Sequence, residues 1–293
     1  MHSVARRFLA AGRGQLSLAQ LGLAPSDETA IRQTLLRRQG LVLVADPVDS
    51  GKTNSLLAMA RTIDALSRSI HVIESELPAG QPQWQRSPLE HGNSQQREMA
   101  ARAAIEQALT MEAGVVLLDE NRSRCVAGLL LSAVDRGCLV LFSVVARRAS
   151  HVFAALRDLG LGANELARAL SIVRAQRLVP ALCGFCALPD DSRELRAILA
   201  PAMSTWLESA GVRARAPRAG GCDRWGYCGR ALAHEFLQAD SSMRALVEAG
   251  VTGLALEQAL LAEGRGLWDR GLALLAGGVT SLAALQQWLA EPA

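Results

Sequence analysis

The chain predicts an α/β protein built on a parallel sheet, and three observations carry that prediction. Short, largely apolar runs recur through the first 180 residues, and longer charge-bearing stretches with helical signals separate them. The runs also lack the polar alternation of a sheet with one wet face, so both faces should be covered. Residues 41–45, 70–73, 115–118 and 139–145 read as strands. Residues 26–39, 53–67, 95–110 and 124–134 read as the helices between them. In the first helix Ser26 is placed to cap the N-terminus, with Asp27 and Glu28 in the first turn. Arg37-Arg38 would close it and Gly40 would stop it.

Residues 78–94, rich in Pro, Gln and Ser, read as a surface loop. Near residue 181 the texture changes to cysteine pairs, then an Arg/Ala/Gly/Pro linker over 211–221, then short helices. The expected organisation is a lead-in over 1–40, an α/β core over 41–180 and a cysteine-containing, helical C-terminal region over 181–293.

Half of the 293 residues are apolar and 20% are charged, a globular composition. The formal charge of +3 is nearly balanced, too little to argue for a nucleic-acid partner on charge alone, and nucleic acid is not the expected partner. The longest apolar region, 126–146, is broken by Asp135-Arg136-Gly137, so no transmembrane helix is expected. The first nine residues lack the apolar stretch of a signal peptide, and a cytoplasmic location follows as the expectation. Six cysteines in a reducing compartment point to metal or packing before disulfides. Cys125 and Cys138, inside apolar segments, read as core residues.

One of the 31 basic residues is a lysine, Lys52, and the rest are arginines. It lies in Ser50-Gly51-Lys52-Thr53, directly after the first predicted strand. A strand, a turn and Gly-Lys-Thr opening a helix form the layout of a phosphate-binding loop. Backbone N–H groups surround the phosphates, the lysine reaches the outer oxygens and the threonine hydroxyl holds Mg²⁺. The window is Asp46-Pro47-Val48-Asp49-Ser50-Gly51-Lys52-Thr53, with Asp46 at the first glycine position and Asp49 at another commonly held by glycine. Val115-Val116-Leu117-Leu118-Asp119-Glu120 supplies a strand ending in two carboxylates, a Walker B layout for a metal and a polarised water.

With these motifs in place, the sequence resembles the C-terminal motor domain of the type II secretion and type IV pilus assembly ATPases. The resemblance extends to Gln15-Leu16-Ser17-Leu18-Ala19-Gln20-Leu21-Gly22, Ala175-Gln176-Arg177-Leu178-Val179 and Leu182-Cys183-Gly184-Phe185-Cys186. Gly226-Tyr227-Cys228-Gly229-Arg230 and Gly277-Gly278-Val279-Thr280-Ser281-Leu282 carry it to the end. It implies a RecA-like P-loop NTPase core that binds ATP and Mg²⁺, the metal through Thr53. It implies Glu74 as catalytic glutamate, Glu120 as the Walker B glutamate, and Arg7 as an arginine reaching a neighbouring subunit's nucleotide. Glu74 and Arg7 also suit solvated surface charges. The implied partners are copies of itself or a paralogous subunit in a ring, and an inner-membrane platform protein that would hold the chain peripherally at the membrane.

The departures from the family pattern are specific. Aspartates stand at 46 and 49, Ser75 follows Glu74 where an aspartate is usual, and Cys138 replaces a histidine. Val144-Val145-Ala146-Arg147-Arg148 occupies the family's histidine-bearing segment, and about forty residues precede the loop strand where the family carries further domains. Two readings follow: an ATP-binding motor subunit with weakened or absent hydrolysis, or a non-catalytic relative docking on a true motor. A nucleic-acid-associated P-loop protein is a third and weaker one.

Cys183 and Cys186 form a C-x-x-C knuckle, and Cys222 with Cys228 follow after 35 intervening residues. Together they can provide four thiolates for a structural Zn²⁺, the alternative being a decayed site with free thiols. His71, His91, His151 and His234 show no ligand or catalytic spacing, and the arginines at 213, 215 and 218 read as a solvated linker.

Overall fold

Strand β1 (Gly40–Ala45) is buried at all six positions because its side chains meet helices on both sides of one sheet. Leu41, Leu43 and Ala45 face one layer, and Val42 and Val44 face the other. The computed structural model describes residues 16–45, 51–64, 68–74, 83–89, 92–119, 123–190, 214–218, 226–251, 255–258 and 266–290. A 3-10 turn (Leu18–Leu21) and helix α1 (Pro25–Leu35) precede β1. After it come α2 (Lys52–Asp64), β2 (Ile70–Glu74), β3 (Gln85–Pro88), α3 (Ser94–Thr110) and β4 (Val115–Leu118). The chain continues through α4 (Arg124–Asp135), β5 (Leu139–Val144), α5 (Ala149–Asp158), α6 (Ala163–Ala169) and the long β6 (Leu170–Leu182). Beyond it lie β7 (Leu188–Pro189), β8 (Arg215–Ala216), β9 (Tyr227–Gln238), α7 (Ser241–Glu248), α8 (Leu267–Ala276) and α9 (Leu282–Ala290).

Seven strands form one sheet in the order β3-β2-β4-β5-β1-β6-β9. Every pairing from β3 to β6 is parallel, and β9 alone runs antiparallel against β6. One face carries α1 and α2, whose Ile31, Leu35, Leu56 and Met59 pack on Val42, Leu117, Leu141 and Ile172. The other face carries α3 to α7, packed on Leu43, Val116, Phe142 and Val173. A third cluster joins the far ends of β6 and β9 to α8 and α9 through Val179, Ala233, Leu272, Leu275 and Leu285. The α/β class with a mostly parallel sheet is the one the apolar runs predict.

Four local expectations need correction. The first helix runs over Pro25–Leu35, with Ala24 as N-cap, so Ser26 lies inside its first turn and Arg37-Arg38 beyond its end. Pro25 wins the start because its fixed φ and missing N–H suit the first helical turn. Gly40 opens β1 rather than merely ending a helix: its φ is +144° and a Cβ would stand 2.2 Å from Ser171 Oγ on β6. Within 78–94, β3 forms an edge strand beside β2, pinned by buried Trp84 and Leu89 at its two ends. Cys125 is exposed, because the buried stripe of α4 falls on Val126, Ala127, Leu130 and Leu131. Cys138 is buried as expected, and its thiol donates to Ala113 O at 3.0 Å.

The C-terminal region is not helical throughout. Its strand β9 zips along ten positions of β6, from Ile172↔Gln238 to Leu182↔Tyr227, and so joins the sheet that contains β1.

Candidate functional site

The carboxyl ends of β1, β4 and β5 lie side by side, since β5 pairs with β1 on one flank and β4 on the other. Ligands of open α/β sheets bind off this edge. Asp46, Asp49 and Ser50 of the loop after β1 lie outside the described residues, and the chain re-enters at Gly51. Gly51 has φ +89°, a left-handed conformation that glycine takes without a Cβ penalty. Ser55 N then donates to Gly51 O at 3.1 Å, closing the first turn of α2. The N-terminal dipole of this 13-residue helix favours an anion.

Lys52 opens α2 and is only 7% exposed. Thr53 Oγ1 donates to Asp119 Oδ2 across 66 residues of sequence. Asp119 follows the last residue of β4, so sheet register delivers its carboxylate to the helix that starts at Lys52. The second carboxylate oxygen, Oδ1, accepts a 2.5 Å hydrogen bond from Ser143 Oγ on β5. A buried ammonium, a hydroxyl and a carboxylate are the donors that phosphate oxygens and a hard divalent cation require. The residues present therefore fit Mg²⁺ and a nucleotide polyphosphate.

Of the other sequence-derived site residues, Glu74 ends β2, one strand beyond β4, and its side chain lies outside the described set. Arg7, Glu120 and Cys222 lie outside the described residues altogether. Cys183 follows β6, Cys186 lies in the next turn and Cys228 lies in β9. Among the described residues, no three His, Cys, Asp or Glu side chains gather as a metal site. Nor does any described helix have the length and apolarity to cross a membrane.

Three buried polar contacts around the site have little signal in the sequence. Ser143 is the single polar residue of the run Leu139-Val140-Leu141-Phe142-Ser143-Val144, and that isolation was the available signal. Ser55 Oγ donates to Gln176 Oε1 at 2.8 Å, joining the loop helix to β6 where both side chains are fully buried. Directly opposite Gln176 on β9 stands His234, whose Nε2 lies 2.8 Å from Asp27 Oδ2. Arg270 Nη2 donates to the same Asp27 oxygen at 2.9 Å. Burial, with buried Arg174 nearby, pushes the His234 imidazole down to about 4 despite the opposing pull of Asp27. The neutral ring therefore donates from Nε2 to an ionised Asp27. Burial opposes that ionisation, but the His234 hydrogen bond and Arg270 outweigh it and hold Asp27 low.

Next to His234, Glu235 faces the other way. Its Oε2 accepts from Ala149 N at 2.7 Å and its Oε1 from Leu267 N at 3.0 Å. One carboxylate thus serves the N-termini of α5 and α8, whose own N-cap residues make no side-chain cap bond. Burial raises its pKa and the two backbone donors oppose the rise.

Residues 1–287 match the family model described as "Type II/IV secretion system protein". The type II secretion system protein HxcR of Pseudomonas aeruginosa is 28% identical over 280 residues, covering 95% of this chain and 55% of that protein. The type II secretion system ATPase E of Vibrio cholerae is 27% identical over 283 residues, covering 95% and 54%. The chain thus spans about half the length of the curated relatives it matches. Among solved structures, the pilus retraction motor PilT with bound ADP superposes at TM-score 0.64 and 19% identity, over 94% of this chain and 68% of that one. The ATPase DotB of Legionella pneumophila gives TM-score 0.63 at 14% identity, over 94% and 66%. These two share the fold.

Proposed function

We infer that this chain, which belongs to the type II/IV secretion system protein family, is the ATP-binding subunit of a type II secretion or type IV pilus-type assembly motor. The observation that carries the reading is the meeting of Thr53 with Asp119 at the mouth of α2, one residue from a buried lysine. Gly51 lets the backbone turn toward the phosphates, and the first N–H groups of α2 receive them. Lys52 neutralises their charge from a compact ammonium that a planar guanidinium replaces poorly. Thr53 and Asp119 would hold Mg²⁺, which when bound supplies positive charge against the outer phosphate oxygens. Ser50 belongs to the same cradle by its position in the motif.

For hydrolysis, Glu74 is assigned the orientation of the attacking water, with Glu120 beside it and Arg7 serving a neighbour's nucleotide. A ring of copies, or of this chain with a paralogous subunit, seated on an inner-membrane platform protein at the cytoplasmic face, is the assembly this reading implies. The aspartates at 46 and 49 favour a second reading, a non-hydrolysing partner of a true motor. Nucleotide titration with phosphate release on wild type and Lys52→Ala tests both. Saturable Mg-ATP binding lost in Lys52→Ala, with turnover, supports the motor; binding without turnover, or none, supports the second. A structural Zn²⁺ at Cys183, Cys186, Cys222 and Cys228 rests on spacing, and a purified protein without zinc near 1:1 removes it.

A further inference from the structure

Two hydroxyls divide the carboxylate of Asp119 between them, and they come from elements of different kinds. Thr53 belongs to the first turn of a helix that a ligand must touch. Ser143 belongs to the middle of the sheet, fully buried, with Val44 of β1 at its side in register. Leu118 pairs with Phe142, so the next step along each strand sets Asp119 beside Ser143. The contact is fixed by strand register rather than by a loop.

An aspartate carboxylate turns easily about its last torsion, whose preference is broad and two-fold. A donor on each oxygen removes that freedom. Thr53 is the ligand-facing partner: its hydroxyl would turn a lone pair to a cation while its O–H still donates to Asp119, so its position shifts with the ligand. Ser143 addresses the other oxygen and keeps its bond when that happens. We propose that Ser143 is a positioning residue, holding Asp119 oriented so that Thr53 and Asp119 can share one divalent cation with the nucleotide. The proposal rests on the ATP-binding reading of the site. It also explains why a hydroxyl persists in an otherwise apolar, wholly buried strand, where an unpartnered polar group is costly.

The test uses the full chain, Mn²⁺ as a paramagnetic stand-in for Mg²⁺, and a fluorescent ADP. Nucleotide affinity is measured in EDTA and again across a Mn²⁺ titration followed by electron paramagnetic resonance. Ser143→Ala should raise the half-saturating Mn²⁺ concentration about tenfold, as for one lost hydrogen bond to a charged acceptor. Cation-free nucleotide affinity should stay within about twofold, because phosphates and lysine are untouched. Ser143→Thr should restore the cation response. Should the alanine variant fail to fold, Ser143→Cys replaces it, with a weak donor of similar size.

An unchanged Mn²⁺ dependence in a folded Ser143→Ala overturns the proposal and leaves nucleotide binding standing. An equal loss with and without cation also overturns it, since that marks a structural role. Wild type that binds no nucleotide, matching Lys52→Ala, overturns the ATP-binding reading and this proposal with it.

Discussion

Asp27 on α1 and His234 on β9 lie 2.8 Å apart although 207 residues separate them in sequence. Their bond straps the first helix to the antiparallel edge strand, and Arg270 fastens α8 to the same carboxylate. Folding takes His234 from an ordinary 6.5 down to about 4, so the unfolded chain binds its proton more readily. The folded pKa is depressed, so this stability is present above about 6.5 and lost as pH falls toward 4. Its size is on the order of 3 kcal/mol. Asp27, also depressed, acts in the same direction at lower pH. His234→Gln, which keeps a donor and removes the titration, should flatten the decline in urea midpoint between pH 7 and 4.5. An equally steep decline in the variant would count against the assignment.

Glu235 should be the more damaging carboxylate to neutralise by mutation. Glu235→Gln swaps one acceptor oxygen for an amide NH₂ donor facing a backbone N–H, and should cost about 1–3 kcal/mol. Glu235→Ala strips the cap from both α5 and α8 and should cost more. Denaturant unfolding of the two variants measures the order. Because burial raises this pKa, its own linkage opposes that of His234: it favours folding below 4.5 and weakens as pH rises through the folded value.

Arg68 donates to four carbonyls: Leu35 at the end of α1, Arg37 and Arg38 just past it, and Gly114 just before β4. Three of these bonds measure 2.7 or 2.8 Å. Arg68→Ala should destabilise by about 2 kcal/mol, the scale of hydrogen bonds to a charged donor discounted for partial exposure. Arg68→Lys should recover less than half, because three ammonium donors cannot reproduce the planar fork. Thermal midpoints of the three proteins decide it.

Asp49 carries a prediction from sequence alone, since it lies outside the described residues. A carboxylate about 5 Å from a phosphate repels it by ~3 kcal/mol at an effective dielectric near ~20. Asp49→Gly should therefore tighten Mg-ATP binding by about a hundredfold, and calorimetric titration would show it. No change would mean that a cation or arginine already offsets the charge.

The sheet, its mostly parallel sense and the helix start at Lys52 were legible because each rests on local signals. Apolar runs such as Leu41-Val42-Leu43-Val44-Ala45 announce buried strands, and Gly51-Lys52-Thr53 announces a helix start shaped for phosphate. The place of Asp119 directly after β4 was also legible, because four apolar residues precede it. Polar partners far apart in sequence were not. His234 and Glu235 read as ordinary positions in Ala233-His234-Glu235-Phe236, and nothing local says that one meets Asp27 while the other caps two helices. Strand β9 went unforeseen for the same reason: its place is set by pairing with β6, which sequence distance hides.

The α/β class and the helix that begins at Lys52 are written in the order of residues along the chain, because hydrophobic period and motif spacing are properties of neighbours. Only the tertiary structure decided which hydroxyl holds Asp119 and which carboxylate binds His234. Buried polar groups must find partners wherever the packing brings them, and that choice is made between strands and helices rather than along the chain.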